Sequence, residues 1–344
     1  MKSVRLGNFI EEHCEKNKKG EDIPVFSVTN TNGFCTEYFS KDVSSKDKSN
    51  YKIVHKGFFA YNPSRINVGS VDWLRNEEKV IVSPLYNVFS VSPELEKQYL
   101  YYFLKSERGK TLIKSKAEGS VRDNLKFSIL ADFPIPLPSI EEQRKFVAKL
   151  DKSNELIFKY KRLLEYYDTL IKSRFIEMFG DPIENTKSWI EEPLGNCCLL
   201  KAGKAIKASE LADKDKEHPY PCFGGNGIRG FISKKSHTGK IVLIGRQGAL
   251  CGNVQLTDGD FYATEHAVVT SPKKELNSIW LYHLLFLMDL NRYKSGAAQP
   301  GLTVEKLNTV PTMIVPIELQ NDFAAFVQQI DKSKFEYTNI GVAA

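Results

Sequence analysis

The chain is an imperfect tandem repeat, and no other feature constrains its fold as strongly. The segment G-S-V-R-D-N-L begins at Gly119, and G-A-A-Q-P-G-L begins at Gly296. In each copy an I-E-x-Q segment follows 21 residues after that glycine, at Ile140 and at Ile317. The matched landmarks recur at a period of about 177–181 residues. Such a period is too long for a solenoid unit, so each copy is predicted to be a whole domain followed by a connector.

Both copies predict the same order of elements. Short runs rich in β-branched and aromatic residues come first, at Ile53–Tyr61 and Lys79–Val91 in copy one and at Gly239–Ile244 and Phe261–Thr270 in copy two. An aromatic helix follows, near Tyr99–Leu104 and near Trp280–Leu285. Extended stretches with prolines come next, at Pro134–Pro138 and at Val310–Pro316. A helix is predicted after each stretch, because proline suits the start of a helix but cannot continue one.

The first connector is predicted to be one helix over residues 140–179. An apolar seam repeats every seven residues, with tyrosines in the intermediate positions: Leu150, Ile157, Tyr160, Leu164, Tyr167 and Ile171. Gly180-Asp181-Pro182 ends the helix. The second connector begins in the same way and carries Phe323 and Ile330 on its apolar stripe. Gly341 and small residues follow, so this helix is expected to be about half as long.

Composition places few limits on function. The 344 residues carry a net charge of +6 with a pI of about 8.8, which suits a polyanionic partner but is also common without one. No signal peptide is expected, because the first seven residues are polar and basic. The apolar stretch near Ile279–Leu290 is too short to span a bilayer. Six cysteines without C-x-x-C or zinc spacing are expected to be free thiols in a reducing cytoplasm.

Catalytic and cofactor motifs are not found. Gly109-Lys110-Thr111 lacks the earlier glycine of a phosphate loop, whose position holds Leu104. Asn62-Pro63 is followed by Ser-Arg, and so lacks the second proline and the aromatic residue of the N-P-P-[YF] loop of adenine methyltransferases. The glycines at 224–227 do not have the spacing of a dinucleotide loop. We therefore expect no catalytic residue, no metal and no cofactor in this chain.

Polar residues suited to base contacts lie at two matched places. The first place holds Arg65 and Asn67 in copy one and Arg246 and Gln247 in copy two. The second holds Arg122 and Asn124 in copy one and Gln299 in copy two. Arginine can pair with guanine O6 and N7, and asparagine or glutamine with adenine N6 and N7. Basic residues nearby are expected to contact phosphates: Lys114, Lys116, Arg292 and Lys294.

The organisation resembles that of type I restriction-modification specificity subunits. The junction P-I-P-L-P-S-I-E-E-Q at 134–143 and the segment G-A-A-Q-P-G-L-T-V-E-K-L-N-T-V-P at 296–311 resemble the family's domain ends. V-R-L-G-N-F-I at 4–10 and W-I-E-E-P-L-G-N at 189–196 resemble the two domain starts. The resemblance covers essentially the whole chain.

The resemblance implies an α+β fold of two α/β target-recognition domains joined by long antiparallel coiled-coil spacer helices. The expected bounds are 1–138 for the first domain, 139–181 for the central spacer helix, 182–315 for the second domain and 316–344 for the short C-terminal helix. Each domain would read one half of a bipartite, asymmetric site in double-stranded DNA. Two modification subunits, which methylate adenine N6, would dock on the helices, and two motor-nuclease (restriction) subunits can join them.

Two other classes remain open at this point. One is a specificity subunit of a related methyltransferase-nuclease system that is not type I. The other is a coiled-coil scaffold without a DNA role, which the duplicated polar loops and the positive charge disfavour.

Overall fold

The computed structural model describes residues 3–36, 47–117, 124–248, 250–295 and 301–343, and the side chains of residue 117 and of residues 335–343 lie outside this description. The chain divides into two compact units, Met1–Glu155 and Leu156–Ala344. Each unit combines short strands with helices, as predicted for an α+β protein.

The first unit contains ten strands among its described residues. They are β1 (Ser3–Arg5), β2 (Ile10–His13), β3 (Ser27–Thr29), β4 (Gly33–Cys35), β5 (Lys52–His55), β6 (Phe59–Tyr61), β7 (Val71–Trp73), β8 (Lys79–Val82), β9 (Asn87–Val91) and β10 (Pro134–Pro136). Its helices are α1 (Lys97–Lys105), α2 (Glu107–Ala117), α3 (Phe127–Ala131) and the start of α4 (Ile140–Phe179), which continues into the second unit.

The second unit also contains ten strands among its described residues. They are β11 (Glu191–Pro193), β12 (Cys198–Ala202), β13 (Tyr220–Gly224), β14 (Gly227–Ile232), β15 (His237–Thr238), β16 (Val242–Gly245), β17 (Val254–Leu256), β18 (Asp260–Ala263), β19 (Ala267–Pro272) and β20 (Pro311–Met313). Its remaining helices are α5 (Leu194–Cys197), α6 (Ser278–Leu287), α7 (Val304–Asn308) and α8 (Ile317–Ala343).

The strand pairings of the two units correspond, apart from one parallel pairing in the second unit. In the first unit β2-β9-β6-β7 form an antiparallel sheet, β1 pairs with β10, β3 with β4 and β5 with β8. In the second unit β12-β19-β16-β17 form an antiparallel sheet, β11 pairs with β20, β13 with β14 and β15 with β18. The second unit also has a parallel pairing of β13 with β18. The repeat in the sequence is therefore a repeat of strand topology.

Three of the predicted β runs each form two strands instead of one. Residues 53–61 are divided into β5 and β6 at Gly57, whose φ of 83° turns the chain. Residues 79–91 are divided by a turn in which the N–H of Tyr86 donates to the carbonyl of Ser83 at 3.0 Å. Residues 261–270 are divided between β18 and β19 at Thr264–His266. The apolar runs continue across these turns, which is why the sequence pattern does not show them.

In both units the glutamine of the I-E-x-Q landmark is buried and hydrogen-bonds backbone groups of an earlier segment, an arrangement called here the glutamine bracket. The Gln143 side chain is fully buried; its Nε2 donates to the carbonyl of Glu94 at 2.9 Å, and its Oε1 accepts from the N–H of Glu96 at 2.8 Å. Gln320, 4% exposed, accepts from the N–H of Asn277 at 2.9 Å. Each glutamine fixes the start of a long helix against the segment before the aromatic helix.

Helix α4 is one continuous helix of 40 residues, which confirms the predicted span. Helix α8 has 27 residues, so the prediction that it is only about half as long as α4 is wrong. The helical backbone continues through Gly341, because one glycine weakens a helix without necessarily ending it.

Within the second unit α4 and α8 run antiparallel. The rings of Phe175 and Phe323 have centroids 5.3 Å apart, and the Lys334 ammonium lies 2.6 Å from the Asp168 carboxylate. The contacts move back along α4 as they move forward along α8, which defines the antiparallel direction. Ile171, Phe175, Phe179 and Phe323 are buried in the same apolar core as Trp280 of α6.

Candidate DNA interface

In the first unit, the predicted base-contacting residues lie on the loop between β6 and β7. Arg65 and Asn67 are both exposed, and they flank the start of a short 3-10 helix at Ile66–Val68. The buried Ile66 anchors this turn, and Gly69 closes it with a φ of 95°. The backbone N–H of Ser70 donates to the carbonyl of Arg65 at 3.1 Å. The loop therefore holds two polar side chains outward on a fixed backbone.

The second predicted place in this unit lies against the same loop. The N–H of Leu125 donates to the carbonyl of Pro63 at 3.1 Å, and the hydroxyl of Tyr61 donates to the carbonyl of Leu125 at 3.0 Å. Asn124, which precedes Leu125, is exposed and lines a cavity of about 420 Å³ together with Pro63 and Lys126. Arg122 lies outside the described residues.

The predicted phosphate contacts Lys114 and Lys116 are exposed on α2. Helix α2 packs beside the 3-10 helix that follows Arg65. Lys105, at the end of α1, is used inside the protein: its ammonium donates to the carbonyls of Gly69 at 2.6 Å and of Asn30 at 2.9 Å. Burial lowers the pKa of Lys105. The first unit thus has exposed cations on α2 and a half-buried cation at the end of α1 that holds the loop.

In the second unit, Arg246 and Gln247 lie on the equivalent loop, between β16 and β17. The carbonyl of Arg246 accepts from the N–H of Leu302 at 2.8 Å, and Gln247 forms an isolated bridge with Gly301. Leu302 occupies the same place in its heptapeptide as Leu125, so both units tie the same two segments together. Gln247 is exposed and Arg246 is half-buried. Gln299 lies outside the described residues.

Arg292 and Lys294 lie close to this loop in the second unit. Both are exposed, on or just after the 3-10 helix Leu290–Tyr293. Asn291, which precedes Arg292, donates from its side chain to the carbonyl of Cys251, a residue of the β16–β17 loop, at 2.7 Å. The structure therefore places two cations beside the polar loop, as a phosphate-contacting role requires.

Most of the seven-residue seam on α4 is exposed. The exposed fractions are 44% for Leu150, 51% for Ile157 and 37% for Leu164. Tyr160 and Tyr167 are half-buried. At the far end of the seam Ile171 is 4% exposed, and on α8 Phe323 is fully buried while Ile330 is half-buried. The α8 helix thus covers the C-terminal end of the seam and leaves apolar side chains open on the rest.

The cysteines and the acidic and histidine side chains of the described residues are candidate nucleophiles and metal ligands. All six cysteines are free, and burial raises the pKa of the Cys198 thiol to about 12. A thiol that stays protonated is a poor nucleophile. Over the same residues, no cluster of three or more histidine, cysteine or acidic side chains could hold a metal ion. No described helix is both long and apolar enough to cross a membrane.

A family model for the type I restriction modification DNA specificity domain matches residues 4–164 and 186–342. The two matches together cover most of the chain. The chain belongs to this family.

Two curated members of the family illustrate the similarity. The specificity subunit of the type I restriction enzyme EcoprrI from Escherichia coli is 38% identical over 251 residues, which are 68% of this chain and 61% of that protein. The MjaIX specificity subunit from Methanocaldococcus jannaschii is 23% identical over 267 residues, 68% of this chain and 62% of that protein. The chain thus spans about 60% of the length of these curated relatives.

Solved structures share the specificity-subunit fold. A type I restriction-modification S subunit from M. genitalium superposes with a TM-score of 0.63 at 18% identity, covering 99% of this chain and 92% of that one. A chain from a study of complex assembly in a type I R-M system superposes with a TM-score of 0.58, also at 18% identity, covering 99% and 94%. The predicted fold of two mixed domains with a long spacer helix is confirmed.

Three further polar residues lie on the turns next to the Arg246 loop, and no sequence signal links them to it. Glu265 and His266 lie between β18 and β19, and Asn226 lies between β13 and β14. The N–H of Arg246 donates to the carbonyl of His266 at 3.0 Å, and the Asn253 side chain donates to Asn226 Oδ1 at 2.9 Å. Glu265-His266 follows an aromatic strand, and the glycines around Asn226 mark a turn, but neither signal points to the Arg246 loop. Only the strand pairing brings them together.

Proposed function

We propose that this chain is the DNA specificity subunit of a type I restriction-modification complex, with each recognition domain reading one half of a bipartite, asymmetric site. The observation that carries the proposal is the duplicated loop pair, Pro63 with Leu125 and Arg246 with Leu302. The two pairs present different side chains on one backbone plan. A protein with two such sites reads two different half-sites, so the full target is asymmetric.

The recognition domains are assigned to residues 1–138 and 182–315. In the first domain Arg65, Asn67, Arg122 and Asn124 are the proposed base contacts, with Lys114 and Lys116 on phosphates. In the second domain Arg246, Gln247 and Gln299 contact bases, with Arg292 and Lys294 on phosphates. Side chains of these types match base edges in the major groove, whereas lysine contacts to phosphate add affinity without sequence information.

The spacer helices, 139–181 and 316–344, are the proposed docking sites for two modification subunits that methylate adenine N6, and two restriction subunits join where they are present. Leu150, Ile157 and Leu164 support this assignment, since an apolar seam left 37–51% exposed is suited to burial by a partner. The chain itself is proposed to lack methyltransferase and nuclease activity and to bind no cofactor. The complex is assigned to the cytoplasm, where its DNA substrate lies.

Co-expression with the modification subunit tests the proposal. We expect the two proteins to purify as one complex that transfers methyl groups from S-adenosylmethionine to one bipartite sequence. The modification subunit alone should show no such selectivity, and neither should the specificity subunit alone. Robust methyl transfer by the isolated chain, or a complex without sequence preference, would sink the proposal.

A further inference from the structure

Three turns of the second domain meet at Arg246. They are the tip of the β13–β14 hairpin at Gly225-Asn226, the start of the β16–β17 loop at Gly245-Arg246, and the Thr264–His266 turn. Glycines allow this approach: a Cβ on Gly245 would lie 1.9 Å from the carbonyl oxygen of Gly225. Because a side chain cannot fit there, the close contact of the hairpin with the loop depends on glycine.

The polar groups at this meeting point have unused hydrogen-bonding capacity. Arg246 Nε, Glu265 Oε2 and His266 Nδ1 are buried and have no hydrogen-bond partner among the described residues. Buried polar atoms are normally paired, so three unpaired ones in one place call for an explanation. Glu265 and His266 remain 39% and 34% exposed in their side chains, so both also reach the surface.

The two carboxylate oxygens of Glu265 have different surroundings. Glu265 contacts His266 through its other oxygen, with Oε1 lying 3.2 Å from His266 Nε2. A rotation that exposes Oε2 therefore costs no hydrogen bond made by that atom. It also relieves the cost of leaving the atom buried and unpaired. The groups are poised to bind a ligand that offers both acceptors and a donor.

We propose that Arg246 and Glu265 together read a single G·C base pair in the second half-site, with His266 positioning Glu265. This inference rests on the proposed function and specifies the base pair that one pair of side chains recognises. In the major groove a G·C pair presents the guanine N7 and O6 acceptors beside the cytosine N4 donor. The guanidinium donates to guanine, and the Glu265 carboxylate accepts from cytosine N4.

The same pair of side chains rejects an A·T pair. Adenine places its N6 donor where the guanidinium needs an acceptor, and thymine places O4 and a methyl group where the carboxylate needs a donor. A reversed C·G pair exchanges the two ends and mismatches both. The site therefore selects the orientation of the pair as well as its composition.

Methylation mapping of genomes that express the chain with its modification subunit tests this pairing. We expect Glu265→Gln to lower the preference for G·C at one position of the second half-site by about 5- to 100-fold. Arg246→Ala should relax the same position. The double variant should lose little more than the more severe single variant, because the two residues contact one pair. The first half-site should be unchanged throughout.

Asp258→Asn is the matched control, since Asp258 is an exposed carboxylate of the same domain, 3.4 Å from Lys240. It should leave the mapped site unchanged. If Glu265→Gln fails to assemble, Glu265→Asp gives a second test: the shortened carboxylate should lower the preference for G·C at the position that Arg246→Ala relaxes. The inference is overturned if Glu265→Gln leaves every position intact, or if the two substitutions relax different positions. A wild-type complex with no defined site would instead refute the proposed function.

Discussion

The backbone N–H of Leu125 donates a hydrogen bond to the carbonyl oxygen of Pro63 at 3.1 Å. This bond joins two loops that are far apart in the sequence. Arg246 and Leu302 make the equivalent bond at 2.8 Å in the second domain. Because backbone groups make both bonds, side chains on the two loops are free to differ between domains. The two domains thus share a backbone frame and differ in the side chains that we propose to contact bases.

The first prediction concerns the glutamine brackets. Gln143→Ala or Gln320→Ala leaves buried backbone groups unpaired, so each should lower the free energy of unfolding by about 1–3 kcal/mol. Denaturant unfolding measures the loss. Gln329→Ala, on the exposed face of α8, is the matched control and should have little effect. Equal stability of the Gln143 and Gln329 variants would contradict the bracket.

The second prediction concerns Lys114. Since a phosphate contact carries no sequence information, Lys114→Ala should weaken the binding of specific and unrelated DNA to a similar extent. The slope of log K against log salt concentration should fall by about one. Fluorescence anisotropy of the assembled complex over a salt series provides both values. A loss confined to the specific site would show instead that Lys114 contacts a base.

The third prediction concerns His283, whose ring lies 5.3 Å from that of Phe323. Burial, helped by the charge of Lys334 and opposed by Asp168, lowers the pKa of His283 to about 4. The unfolded chain, with a histidine pKa near 6.5, therefore takes up this proton more readily than the folded chain. Stability from the neutral ring is present above about pH 6.5 and is lost as pH falls towards about 4, by up to roughly 3 kcal/mol.

Replacing His283 with glutamine tests this dependence. Between pH 6.5 and pH 4.5 the free energy of unfolding should fall less in the variant than in the wild type. The other titrating groups are common to both proteins, so the difference between the two curves reports His283. Parallel curves for the two proteins would show that His283 does not titrate as described.

The fourth prediction concerns Gly245. An alanine there would place its Cβ 1.9 Å from the Gly225 carbonyl, so the β13–β14 hairpin has to move. We expect a loss of about 1–3 kcal/mol in stability and weaker reading of the second half-site. Gly301→Ala is the stability control, because its Cβ meets only the Arg246 carbonyl oxygen, at 3.5 Å. A fully stable Gly245→Ala protein would mean that the close approach is unimportant.

The architecture of this chain could be predicted from its sequence largely because it is repeated. The repeat of Ile140 and Ile317 at equal distances from a glycine identified the helix starts, and the seam from Leu150 identified the long helix. The turn at Thr264–His266 and the resulting hydrogen bond from the N–H of Arg246 to the carbonyl of His266 could not be predicted in this way. They depend on the pairing of β18 and β19 with other strands, and sequence periodicity carries no information about which strands are neighbours.

The central claim is that each domain reads its own half-site. Methylation mapping of Arg65→Ala and Arg246→Ala complexes tests it most directly. Each substitution removes a contact that should contribute about 1–3 kcal/mol of discrimination at one base pair. We predict that Arg65→Ala relaxes positions in one half-site only and that Arg246→Ala relaxes positions in the other half-site only. If both substitutions altered the same half-site, the assignment of one domain to each half would be contradicted.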